Sequence, residues 1–234
     1  MSETADRPAD GRSPPEPHQS VPPDPTPWSR LADAEPIAVR DPLAELLGMV
    51  PPGEPLTVTF PEVAKAAGHA CPAVAGAYRC TQLALAALYP DSLPVRSAIA
   101  VTVGGSPTEP GVGPMTDVVR HVTGAADESG FEGLAGCGGR RGLLTFEDAS
   151  GPGRTFAFER VDTGARVRVS FDPSATGVDP DAGGGDIQAL LPKLLDGRAS
   201  AAARDRFYAA WHGRVARILR AEPDDSGPIS LRRG

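Results

Sequence analysis

Phe60-Pro-Glu-Val-Ala-Lys-Ala-Ala-Gly68-His69-Ala70-Cys71-Pro72-Ala-Val-Ala-Gly-Ala-Tyr78-Arg79 is the stretch that decides the architecture. Thr59 and Glu62 stand at capping-box spacing, where hydroxyl and carboxylate each satisfy a backbone N–H of the other. A helix therefore starts at Phe60 and runs through Val63 to Ala67, and Gly68 stops it. Pro72 suits the first position of a second helix, which puts Cys71 at or beside its N-cap. Along that helix Val74, Tyr78, Leu85 and Leu88 recur at helical steps. Ala73, Gly76, Ala77, Cys80, Ala84 and Ala87 form a flatter face of small residues that permits close packing.

Further along, Ser97–Val103 reads as a buried strand ended by Gly104-Gly105. A helix opens at Gly113-Pro114, with Met115, Val118, Val119 and Val122 inward, and a glycine-rich stretch runs from Gly124 to Gly142. Leu143–Glu147, Thr155–Val161 and Arg166–Phe171 read as strands, the last two joined by a turn at Asp162-Thr-Gly164. After a polar loop from Asp172 to Gly185 come two helices, Ile187–Leu195 and roughly Ala202–Arg220. The second carries Phe207, Trp211, Val215, Ile218 and Leu219 as a docking stripe. Upstream, Pro42–Gly48 adds a short helix. The reading is one α+β domain over 41–220, a mixed or antiparallel sheet packed by helices. Residues 1–40 are expected to be a disordered proline-rich tail, since 13 of the 26 prolines precede residue 60, and 221–234 a second disordered tail.

The 234 residues carry 23 Lys+Arg against 30 Asp+Glu, a net charge of -7. That balance argues against nucleic acid or an anionic membrane as partner, since both want a basic face. No run approaches a membrane span and no secretory signal pattern opens the chain, so a cytoplasmic protein is expected. Three cysteines (Cys71, Cys80, Cys137) are too few and odd in number for a stapled scaffold, which leaves thiol or metal chemistry.

His69-x-Cys71 is the sharpest chemical feature. A borderline and a soft donor one residue apart in an extended segment can grip one transition metal. The start of the following helix also favours negative charge on the sulfur. A buried capping cysteine beside a hydrogen-bonded histidine fits the same letters. Asp117 and His121 lie four apart, on one helix face, and either completes the site, orients His69 from behind, or forms a surface pair. Arg79, two turns from Cys71, suits a carboxylate or phosphate, or pairs with an acid; Tyr78 sits on the apolar stripe. Arg140 and Arg141 in Gly136-Cys-Gly-Gly-Arg-Arg-Gly142 could grip an anion, although the spacing is no phosphate-loop fingerprint. Cys80 reads as buried, Cys137 as a free loop thiol, His18 as a tail residue, and His212 as packing or surface.

Phe60-x8-His69-Ala70-Cys71-Pro72-x5-Tyr78-Arg79-x5-Leu85 resembles the signature of the FmdE family, named for formylmethanofuran dehydrogenase. Asp117-Val-Val-Arg-His-Val-Thr123-Gly124 resembles that family's D-x-x-x-x-x-T-G helix end, and Arg140-Arg-Gly-Leu-Leu144 its G-K-x-N-L segment. The resemblance covers residues 56–172. It implies a compact α+β domain, often a homodimer, with a zinc-type metal site built on the His and Cys of G-H-x-C-P. It does not imply methane metabolism. Ala67 and Ala125 stand where the family often has a His and a Cys, Arg140 or Arg141 replaces a Lys, and the cysteine-rich C-terminal ribbon is missing. What remains is a metal site with open positions, suited to catalysis or ligand capture.

Three readings follow. The first is a metal-dependent protein with His69, Cys71 and Asp117 at a divalent metal, zinc foremost, and Tyr78, Arg79, Arg140 and Arg141 around a small anionic ligand. The second is a metal-free thiol centre, with Cys71 as nucleophile or redox group and His69 beside it as its base. The third is a metal-binding accessory or assembly protein without turnover.

Overall fold

Alternating burial builds the sheet. In the computed structural model, which describes Trp28, Leu31 and residues 33–148, 154–176 and 187–234, β3 (Ile99–Gly104) buries Ile99, Val101 and Val103 and turns the intervening residues outward. β5 (Arg154–Arg160) does the same with Phe156 and Phe158, and β6 (Arg166–Phe171) with Val167, Val169 and Phe171. With β4 (Leu144–Glu147) and β7 (Ile229–Arg233) they form a five-stranded sheet in the order β4-β3-β5-β6-β7. The β3–β4 pair is parallel and the remaining pairs antiparallel, so the sheet is mixed. At the β5–β6 turn Gly164 takes φ +73°, a conformation that glycine adopts without penalty.

Helices cover the apolar face. Thr59 and Glu62 form the expected capping box at the start of α2 (Phe60–Ala66; α1 is Pro42–Leu46). α3 (Pro72–Leu88) lies along the sheet, and the small-residue face explains how closely. A Cβ placed on Gly76 would stand 2.6 Å from the Phe171 ring. Tyr78 is fully buried against Phe60, and its hydroxyl donates to Val58 O at 2.9 Å. α4 (Val112–Thr123) runs between two left-handed glycine caps, Gly111 and Gly124. α6 (Ala201–Leu219) buries Val215, Ile218 and Leu219 in the main core, while Phe207 joins α5 (Ile187–Leu195) in a smaller cluster with Leu190 and Ala203. No helix among the described residues is long and apolar enough to cross a membrane.

The α+β reading holds, and its ends need correction. Within the expected tail at 1–40, Ile37 and Val39 are buried in β1 (Ile37–Val39), which pairs with β2 (Leu56–Val58). Most of the rest of that tail lies outside the described residues. The expected tail at 221–234 contains β7, whose Ile229 is fully buried opposite Phe171. Both segments are short edge pieces, and their alternation was masked by neighbouring Pro, Asp and Arg. β3 begins at Ile99 rather than Ser97, because Ser97 adopts φ +71° and breaks the extended run.

Candidate functional site

α2 ends at Ala66, Gly68 reverses the chain with φ +78°, and α3 starts at Pro72, so His69 and Cys71 lie in the connection between two helices. His69 is exposed, with Nδ1 3.0 Å from Ala67 O. A carbonyl can only accept, so Nδ1 donates, and in the neutral ring Nε2 keeps its lone pair. Cys71 is the extended N-cap of α3 and is partly exposed; its side chain makes no capping hydrogen bond. Between them, Ala70 O accepts a hydrogen bond from Trp211 Nε1 at 2.8 Å, which ties the segment to α6. Among the described residues neither the Cys71 sulfur nor His69 Nε2 has a hydrogen-bond partner, and the bond from Trp211 anchors the segment that carries them.

The other expected members are distributed differently. Asp117 and His121 share the exposed face of α4. Among the described residues no three His, Cys, Asp or Glu side chains come close enough to hold a metal ion, so Asp117 does not complete a ligand set with His69 and Cys71. Nor does His121 orient His69, whose ring is already held by Ala67 O. The charged groups that act on His121 are Arg96 and Glu62; partial burial and then Arg96 push its pKa down, and Glu62 opposes them.

Each arginine expected to hold an anion has protein partners. Arg79 is nearly buried and donates to Ala221 O at 2.8 Å, Gln82 Oε1 at 2.6 Å and Glu222 Oε1 at 2.9 Å, clamping the segment after α6 onto α3. Arg141 bonds Glu132 and Glu128 O. Arg140 donates to Asp41 Oδ2 at 2.8 Å. Tyr78 is core, and burial raises its pKa. Cys80 is sealed in the core with its thiol pushed up to about 12 by burial, as its place on the small-residue face implies. Cys137 is half-buried in a tight turn with Leu134. His18 lies outside the described residues.

Asp41 is the residue that the sequence reading missed. Its carboxylate is buried and caps α1 through Leu43 N and Ala44 N, while Arg96 at 3.0 Å and Arg140 at 2.8 Å both donate to Oδ2. Two cations on one anion leave an excess positive charge. The C-terminal end of α4 offsets part of it, because Arg96 Nη2 also donates to His121 O at 2.8 Å. The signal was available: an Asp directly before a Pro-initiated helix is an N-cap signature.

Against a metal, the donor chemistry of the connection fits in part. An imidazole whose other nitrogen is pinned by a carbonyl and a free thiol are two ligands of the kind zinc takes, and one chain's described residues bring no third. A comparison with curated proteins finds no match to this chain. A family model described as FmdE, Molybdenum formylmethanofuran dehydrogenase operon, matches residues 66–226, from the last residue of α2 to just before β7. That span exceeds half of the chain and includes His69, Cys71 and the α3, α4 and sheet elements that position them, so the chain belongs to the FmdE family.

Proposed function

We propose that this FmdE-family protein holds a divalent transition metal of the zinc type through His69 Nε2 and Cys71 Sγ, and takes up a small anionic ligand at the positions left open. The observation that carries the reading is the hydrogen bond from His69 to Ala67 O, which leaves Nε2 as the metal-binding nitrogen, with a single residue between this histidine and a thiol that makes no capping bond. The metal, when bound, supplies a Lewis acid for a bound oxygen ligand. His69 and Cys71 orient it, and Trp211 holds the carbonyl between them in place. A further donor comes from outside this set, from the anionic ligand or from a second copy in a homodimer. Arg79, Arg140 and Arg141 are left out of the ligand shell, since carboxylates already engage them.

The same missing third donor favours a second reading, a metal-independent thiol centre in which Cys71 is the nucleophile and His69 its base. Elemental analysis of protein purified without a histidine tag separates the two. The first reading predicts stoichiometric zinc or a related metal, lost in both His69→Ala and Cys71→Ser. Metal-free protein whose Cys71 alkylates selectively at neutral pH contradicts it and supports the thiol centre.

A further inference from the structure

Among the described residues the helices cover only one face of the five-stranded sheet, and the other face is built from small, polar and charged residues. One cross-strand row on that face runs Thr145, Thr102, Ala157, Arg168 and Arg232, each in register with the next. The face forms a depression of about 470 Å³, lined by Ala100 and Thr102, by four arginines and by Glu147 and Glu159, within the usual range for small-molecule sites. Larger residues at Ala100 and Ala157 would fill it.

The charge arrangement on this row is unfavourable as it stands. Arg168 and Arg232 are direct cross-strand partners, and like charges in that position repel. On its other side Arg168 faces Ala157, and Glu147 and Asp148 line a neighbouring hollow with Arg168 without coming within ion-pair distance of it. Arg168 makes no hydrogen bond or ion pair among the described residues, and Arg232 has only an exposed contact with Asp225 at 3.7 Å. The nearby Arg166 pairs with Glu159 at 2.5 Å, which leaves Arg168 and Arg232 as the arginines of this face without a close carboxylate. Four arginines (Arg166, Arg168, Arg232 and Arg233) outnumber Glu147 and Glu159 in the lining, so the depression carries a positive excess in a protein of net charge -7.

We infer that this open sheet face binds a small oxyanion, a phosphate or carboxylate group, bridged between the guanidiniums of Arg168 and Arg232 beside Ala157. Planar guanidiniums suit both oxyanions through paired N–H donors. The Thr102 hydroxyl, linked to Thr145 at 3.2 Å, lies two strands away, about 10 Å from the arginine pair, and meets the uncharged part of a larger ligand. This site is independent of His69 and Cys71, which belong to the helical side.

The test is an NMR titration of the full chain with inorganic phosphate and, separately, citrate, with chloride holding the ionic strength constant. The expected result is saturable shifts at Ala157, Arg168 and Arg232, weakened about tenfold or more by Arg168→Ala or Arg232→Ala and partly restored by Arg168→Lys. Phosphate should also raise the melting temperature of the parent protein and not that of Arg168→Ala. A response to citrate alone identifies the carboxylate as the preferred group, and to phosphate alone the phosphate. Shifts that never saturate, or that Arg168→Ala leaves unchanged in a protein that melts normally, overturn the inference. So does a dimer in sedimentation that Arg168→Ala dissociates without any response to either anion, because the face would then be an interface between copies of this chain.

Discussion

Trp211 Nε1 lies 2.8 Å from Ala70 O and donates to it, joining residues 141 positions apart in the chain. The bond anchors the carbonyl between His69 and Cys71 to α6, so the local chemistry of the connection depends on a helix near the far end of the sequence.

Trp211→Phe keeps most of the ring, including its stacking on Phe207 at 5.7 Å, and removes the donor. The variant is expected to lose about 1 kcal/mol of stability in urea denaturation and to change the rate at which Cys71 reacts with a thiol reagent. An unchanged alkylation rate would show that the connection holds its shape without α6.

Gly76→Ala tests the closeness of α3 to the sheet. The new methyl would stand 2.6 Å from the Phe171 ring, which is itself fully buried and has nowhere to retreat. The expected cost is about 1–3 kcal/mol, read as a lower denaturation midpoint. Gly213→Ala, with nothing within 4 Å of the added atom, serves as the control and should not be destabilised.

The elements of the core were legible because each carries a period that its packing enforces: Val74, Tyr78, Leu85 and Leu88 on α3, Val167, Val169 and Phe171 on β6. The capping box at Thr59 was legible for the same local reason. β1 and β7 were not, because three to five residues give alternation too little length to stand out from flanking prolines and arginines. At the site, His69 and Cys71 were legible as adjacent letters, and so was the helix start that follows them. The partners of Arg79 and Arg140 were not, since Glu222 and Asp41 lie 143 and 99 residues away and only the fold brings them in.

Asp41 holds together α1, Arg96 and Arg140. Asp41→Ala strands two largely buried guanidiniums and removes a helix cap, so a loss of about 3–5 kcal/mol is expected from chemical denaturation. Arg141→Ala breaks an exposed ion pair with Glu132 and an exposed hydrogen bond to Glu128 O, and should change stability by about 1 kcal/mol or less.

Cys80 sets an alkaline limit. Burial raises its thiol from 9.0 to about 12, so the folded state disfavours the thiolate that the unfolded chain forms readily. Its contribution to stability is fully present below pH 9 and is lost as the pH rises from there to about 12, with Tyr78 acting in the same direction. Mass spectrometry after alkylation of the native protein at pH 8 should find Cys71 modified and Cys80 unmodified. Cys80 becomes reactive only once denaturant opens the core.

The most direct test of the His69–Cys71 site is a cobalt(II) titration of the tag-free, metal-stripped chain, followed by absorption. A thiolate bound to cobalt gives a sulfur-to-metal charge-transfer band. The account predicts that this band grows to a stoichiometric end point, disappears in Cys71→Ser, weakens strongly in His69→Ala, and survives unchanged in Asp117→Ala. A spectrum that stays at that of aqueous cobalt, or a band that persists in Cys71→Ser, would contradict it.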